Sequence, residues 1–254
     1  MKKFLVSSIA AITAMMSSAS AAVVQIDAFN TGWYDSVLGF HYAWSNTTAG
    51  RNPAFGSVFR DYFAFDLSSI AGLPGNVRNV KITFRDIEGK YDSIDPTETF
   101  QLSSFEGDID DLISENFTGG ADPYDQAGGL ALYSDLGDGD VYGTRVIKKP
   151  GATVFPNGFT VYIMDEFTMA LSSSAVDNMN AALASLDQRF AIGGQLTSLS
   201  DRTDFEAIFS ASQPSFGGPA FITVEVPEPA PVALLGLGLL GIAAVRRQRL
   251  SRKA

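Results

Sequence analysis

Along this chain apolar and polar positions alternate in short bursts, broken by glycine, proline, asparagine and aspartate. Residues 23–29, 60–67, 77–84, 159–164, 189–196, 205–209 and 221–226 are each enriched in Phe, Tyr, Val, Ile or Thr, and each reads as a strand. Within 77–84, Val80, Ile82 and Phe84 alternate with the polar Lys81 and Thr83, the period of a half-buried strand. Turn chemistry falls between the bursts at Pro74-Gly75-Asn76, Gly119-Gly120, Gly128-Gly129, Asn157-Gly158 and Gly217-Gly218-Pro219. One stretch breaks the pattern. Val176, Met179, Leu183 and Leu186 recur at spacings of 3, 4 and 3, which predicts a helix over about 174–187 starting near the Ser172–Ser174 cluster. Many short strands and one helix predict a mainly β fold, a single β-sandwich or jelly roll over 23–226 with one crossover helix.

The two ends read differently. Lys2 and Lys3, an apolar run from Phe4 to Met16, and small residues with Ala19 and Ala21 are the parts of a secretory signal peptide over 1–22. At the other end Val226-Pro227-Glu228-Pro229-Ala230-Pro231 is a stiff break that opposes helix and strand alike. Residues 232–245 then form an uncharged run of 14 residues, closed by Arg246, Arg247, Arg249, Arg252 and Lys253. As a helix this run is about 21 Å long against a ~30 Å hydrocarbon core, so it spans only with local thinning and snorkelling of its flanks. Its basic end would stay cytoplasmic, which leaves the body outside.

Residues 226–254 resemble the PEP-CTERM sorting signal recognised by exosortases in exopolysaccharide-producing Gram-negative bacteria. Pro227, Glu228 and Pro229, the apolar 232–245 and the basic Arg246, Arg247 and Arg249 carry the likeness. The resemblance implies use of the secretion machinery, a transient stay in the inner membrane and processing by an exosortase near the PEP motif. It also implies release to the cell envelope or extracellular matrix. In the body, Tyr62-Phe63-Ala64-Phe65-Asp66-Leu67-Ser68-Ser69-Ile70 followed by 77–84 resembles the start of DNRLRE-type jelly-roll domains. That likeness implies a surface protein, and some relatives of those domains are carbohydrate-binding modules. Segments 131–137 and 190–194 are similar to stretches of other PEP-CTERM proteins.

Charge narrows the partners. The ends hold 7 of the 18 basic residues and 1 of the 28 acidic ones, so residues 23–226 keep 11 basic against 27 acidic, a net of −16. Nucleic-acid binding needs a basic footprint and is disfavoured. With no cysteine, disulfides, Cys-ligated zinc and cysteine nucleophiles fall away, and with one histidine so does any site built on two imidazoles.

Three groups carry what chemistry remains. Trp33, Tyr34, Tyr42 and Trp44 gather both tryptophans of the chain within twelve residues, around His41. Flat aromatic faces suit stacking on a sugar, and core packing accounts for the same residues. His41 reads as a strand histidine, since no nucleophile motif such as G-x-S-x-G accompanies it. Asp135, Asp138 and Asp140 offer three carboxylates among glycines, a composition suited to Ca²⁺ but outside the EF-hand pattern, and a solvated acidic turn is the favoured reading. Asp108, Asp110, Asp111 and Glu115 form a second acidic group, read as a solvated loop or a helix-starting turn. No spacing selects two acids for glycoside hydrolysis. The expectation is an exported, non-enzymatic, structural or adhesive protein without cofactor. A carbohydrate-binding module for an exopolysaccharide is the alternative, and a secreted hydrolase stands further back.

Overall fold

The computed structural model describes residues 21–43, 47–54, 56–73, 75–85, 91–114, 125–156, 158, 160–200, 203–209 and 220–227. In the first half they form β1 (Ala21–Asp35), β2 (His41–Ala43), β3 (Ala49–Asn52), β4 (Ser57–Asp66), α1 (Ser68–Ala71), β5 (Val80–Phe84), β6 (Tyr91–Ser93) and β7 (Thr97–Ser104). Then follow α2 (Ile109–Ile113), α3 (Gln126–Asp138), β8 (Val141–Lys148), β9 (Ala152–Val154), β10 (Thr160–Tyr162) and β11 (Phe167–Ala170). The series closes with α4 (Ser173–Ala184), β12 (Arg189–Leu196), β13 (Glu206–Ile208) and β14 (Ala220–Pro227).

The main sheet runs β11-β5-β14-β1-β4-β12-β7-β8, antiparallel throughout. β1 is its bend. Residues 21–27 pair with β14, and after an irregularity between Ala28 and Asn30 the rest of the strand pairs with β4. A bulge kinks a strand and increases its twist, so one long strand serves two layers. The layers face each other across a large aromatic core. Phe84 stacks on Phe167 and Phe209 at 4.8 and 5.2 Å and meets Phe63 and Phe100 edge-on at 5.2 and 5.6 Å. The outermost strands meet as well. Ser172 N–H donates to the Tyr142 carbonyl at 2.8 Å, and Arg145 Nη1 donates to the Thr168 carbonyl at 2.9 Å while its guanidinium covers Phe167. The result is a mainly β, sandwich-like body with a strongly curled sheet.

The expected strands are present. β14 shows why: Ala220, Ile222, Val224 and Val226 are buried and alternate with half-buried Phe221, Thr223 and Glu225. The helix over 174–187 is α4, with Met179 buried and Val176 and Leu183 partly so. Leu186 lies beyond the C-cap Ser185 and is fully exposed, so it does not belong to the apolar stripe.

One helix was expected; α3 is a second long one, joined by the single-turn α1 and α2. Gly128-Gly129, read as a turn, lies within α3. Glycine costs a helix roughly 1 kcal/mol per residue relative to alanine, so local propensity argues against α3. Packing overrides it. Leu132 and Leu136 bury against Tyr34, Tyr62, Ala64 and Ala191 on the outer face of the sheet. Gly129 lets the helix touch the 39–40 turn: a Cβ there would meet the Gly39 carbonyl oxygen at 2.0 Å. Of the strands absent from the sequence reading, β2, β3, β6, β7, β8, β9 and β11, the two longest, β7 and β8, are polar along much of their length.

Candidate functional site

The aromatic segment divides between two faces. Successive side chains of a strand point to opposite sides, so Trp33 and Tyr34 separate. Tyr34 is fully buried, stacks on His41 at 4.6 Å and donates its hydroxyl to the Leu112 carbonyl at 2.8 Å. It is not available to lie against a sugar ring. Trp33 is half-buried and meets Phe59 edge-on at 4.7 Å and Phe40 at 6.1 Å. Tyr42 pairs with Trp33 across β1 and β2, and Trp44 lies outside the described residues. Trp33 and Tyr34 therefore do not share one flat platform.

His41 is buried within hydrogen bonds. Its Nδ1 is 3.1 Å from the Ser114 carbonyl oxygen, and its Nε2 is 2.8 Å from the Tyr62 hydroxyl, which in turn lies 2.8 Å from Asn30 Oδ1. A carbonyl only accepts, so Nδ1 carries the proton and Nε2 of the neutral ring is an acceptor. The single Tyr62 proton is then contested between Nε2 and Asn30 Oδ1. Turning the Asn30 amide to present its NH₂ would satisfy all three groups, because amide orientation is assigned from such networks. Burial lowers the His41 pKa to about 4, with the Ser114 contact opposing. Burial likewise pushes the Tyr34 and Tyr62 hydroxyls well above their usual range. The ring signals of His41 in NMR should therefore titrate near pH 4, and a midpoint near 6.5 would contradict the buried network. The sign for stability follows from the lowered value. Below pH ~6.5 the unfolded chain takes up the proton first, so stability falls from there until the folded ring titrates.

The three aspartates of the acidic stretch do not converge. Asp135 and Asp138 lie on the last turn of α3, and Asp140 precedes β8. The Asp135 carboxylate accepts the backbone N–H of Gly107 at 2.8 Å and of Glu106 at 3.2 Å. Asp138 accepts Ser134 Oγ at 2.6 Å and lies 3.8 Å from Arg60 Nη1. Asp140 contributes backbone bonds with Ser104. Among the described residues no three acidic or histidine side chains gather as a metal site would require. Asp135→Ala should cost about 0.5–1.5 kcal/mol, the net worth of hydrogen bonds whose exposed donors water can then satisfy. Thermal unfolding should give the same loss with Ca²⁺ and with chelator; a loss appearing only with Ca²⁺ would restore the calcium reading. In the second acidic group Asp108 caps α2 through the Asp110 N–H at 2.8 Å, and Asp110 pairs with Arg189 at 2.8 Å. Glu115 lies outside the described residues.

Besides Asp35, which accepts the backbone N–H groups of Val37, Leu38 and Phe40, three buried carboxylates went unnoticed in the sequence. Glu98 accepts Ser93 Oγ at 2.5 Å and also Ser198 Oγ; Glu206 accepts Ser200 through both N–H, at 2.8 Å, and Oγ. Asp61 is fully buried, and neither carboxylate oxygen has a hydrogen-bond partner. Its burial raises its pKa well above the usual carboxylate range. A period-2 count would have found two of them, since Asp61 falls in register with Phe59, Phe63 and Phe65, and Glu98 with Phe100 and Leu102.

A cleft of about 370 Å³ lies where α2, α4 and β12 meet, beside Phe105, Asn178 and Arg189. The Arg189 guanidinium there is held by Asp110 at 2.8 Å and Asp187 at 2.6 Å, so two carboxylates already offset its charge.

The predicted sorting residues fall at the end of the fold. Pro227 is the last residue of β14, opposite Ala21 on β1. Glu228, Pro229, the apolar run 232–245, Arg246, Arg247 and Arg249 lie outside the described residues, as do residues 1–20 of the leader. Among the described residues no helix is long and apolar enough to cross a membrane. Residues 225–248 match the PEP-CTERM protein-sorting motif. No curated protein matches the chain.

Proposed function

From a chain that carries a PEP-CTERM sorting motif, and with it the implication of export, transient membrane anchoring and exosortase processing, we propose a non-catalytic structural or adhesive protein of the bacterial surface. Its destination is the cell envelope or extracellular matrix of a Gram-negative, exopolysaccharide-producing cell, and its leader is the segment 1–22. The observation that carries this reading is the sorting motif itself, fused to a β-rich body. Three features support it. The body between the ends has a net charge of −16, which keeps it soluble and disfavours sticking to anionic polymers. The one histidine is shut away with both ring nitrogens engaged. Buried Glu98 and Glu206 are spent on serines that hold the 197–200 segment. Contact with an acidic exopolysaccharide would need divalent cations as bridges.

The test is fractionation of cells expressing the full chain, with and without the exosortase. The body is expected in the matrix fraction in the first case and with the membrane in the second. A chain found in the cytoplasm with both ends intact would overturn the reading.

A further inference from the structure

The cleft where α2, α4 and β12 meet is lined by buried Phe190 and half-buried Phe105, and its polar lining comes from Asp108, Asn178, Asp187 and Arg189. Arg189 is held in one pose. Its side chain is 19% exposed, with Nε bonded to Asp187 and Nη1 to Asp110. A guanidinium carries five N–H groups in a rigid fork, of which these bonds use two and leave three. Asn178 bonds the Tyr142 hydroxyl at 2.9 Å through one end of its amide and keeps the other. Asp108 accepts the Asp110 N–H through Oδ1, and its Oδ2 remains. The turn that sets Asp187 beside Arg189 is also fixed. Gln188 lies in the left-handed region at φ 54°, its N–H donates to Ser185 Oγ at 3.2 Å, and its carbonyl accepts the Leu67 N–H at 2.8 Å. Residues other than glycine rarely adopt that backbone.

We propose that this cleft binds one ring of a neutral sugar at the end of a glycan chain. Arg189, Asp187, Asp108 and Asn178 supply its polar contacts, and Phe105 lies against the C–H face of the ring. This names a ligand class for the adhesive reading above and rests on it. A sugar hydroxyl both donates and accepts. Vicinal hydroxyls therefore suit donors and acceptors set side by side, as the Arg189 fork and the Asp187 carboxylate are at 2.6 Å. An anion takes donors only, and here the carboxylates of Asp108, Asp110 and Asp187 outnumber the single guanidinium, so a uronate is repelled. A cation takes acceptors only and would meet that guanidinium. The volume, about 370 Å³, is at the small end of ligand clefts, which admits a chain end rather than a long stretch. Side chains already fixed lose little freedom when the sugar arrives. No anionic group of the ligand has to be bridged, so binding needs no divalent cation.

The experiment titrates the full chain, kept in a detergent without a sugar headgroup, with the methyl glycosides of glucose, galactose, mannose and N-acetylglucosamine, and with glucuronate. Each titration is run in Ca²⁺ and in chelator, and NMR follows the Arg189 Nε–H and the Asn178 side-chain amide. At least one neutral glycoside is expected to shift both signals to saturation, equally in Ca²⁺ and in chelator, with glucuronate inert. Arg189→Lys, which keeps the charge and loses the fork, and Asp187→Asn should each weaken that binding by at least about tenfold. Melting curves check that the variants fold, and the signals of the unaltered protein place the ligand even where a variant does not. No shift with any glycoside overturns the site. Tighter binding of glucuronate overturns the neutral ligand, and undiminished binding by both folded variants overturns the placement. Each of these leaves the surface reading standing, which falls only if fractionation finds the chain in the cytoplasm.

Discussion

Replacing Gly193 by alanine is expected to destabilise the protein by about 3 kcal/mol, at the upper end for overpacked sites. Gly193 lies on β12 directly beneath α3, and an added Cβ would sit 2.2 Å from the Leu136 carbonyl oxygen and 2.8 Å from Leu136 C and Cα. All three atoms are backbone, so no side-chain rotation relieves the clash. The helix must lift, and in lifting it withdraws Leu132 and Leu136 from Tyr34, Tyr62 and Ala191. In a body of this size 1 kcal/mol corresponds to about 2–4 °C, so the melting point should fall by roughly 6–12 °C. Gly151→Ala is the control: nothing lies within 4 Å of its added Cβ. Surface changes of that kind stay within about 0.5 kcal/mol. Equal losses for the two substitutions would show that α3 does not bear on the sheet as closely as described.

Asp61→Asn is expected to stabilise the protein at pH 8, by an amount that grows at up to about 1.4 kcal/mol per pH unit above the unfolded carboxyl value, because asparagine neither takes up a proton nor buries a charge. The gain should shrink as pH falls. Asp61 is enclosed between Phe59 and Phe63 along β4, opposite Trp33 on one side and Gly194 on the other. Burial raises its folded pKa, so the folded state binds the proton more tightly than the unfolded chain does. Above the unfolded value of ~3.9 folding must take up a proton or bury a charge, and stability falls as pH rises. Below that value both states are protonated and the term vanishes. Asparagine is neutral throughout, so the difference between the two proteins isolates Asp61 from every other titrating group. Urea unfolding from pH 4 to 8 measures it. Parallel curves would sink the assignment of an unpaired buried acid.

These two sites show where local pattern stops being informative. The aromatic strand 57–66 is legible because its hydrophobic residues have no other comfortable place, and α4 because Val176, Met179 and Leu183 recur at helical spacing. Asp61 sits in the middle of the same aromatic run, yet alternation also permits it on an open face. Its burial depends on the facing layer, which comes from distant parts of the chain, while α3 covers the opposite face of the same strand. Likewise Tyr34 and Trp33 look like neighbours on one ligand platform until α3 covers one face of β1. The helix itself was hidden by Gly128, Gly129 and Gly137, residues unfavourable for a helix alone, of which Gly129 is required by the close approach to Gly39.

The processing address and the β class were written in the linear order of residues. An address is read by other proteins as a local string, and strand character follows from alternation that each short segment carries by itself. The enclosure of His41 and Asp61, the spending of Asp135 on backbone donors and the joining of the sorting motif to β14 were not so written. Each depends on groups brought together from far along the chain, and such contacts form only when the sheet curls and buries both faces of its middle strands.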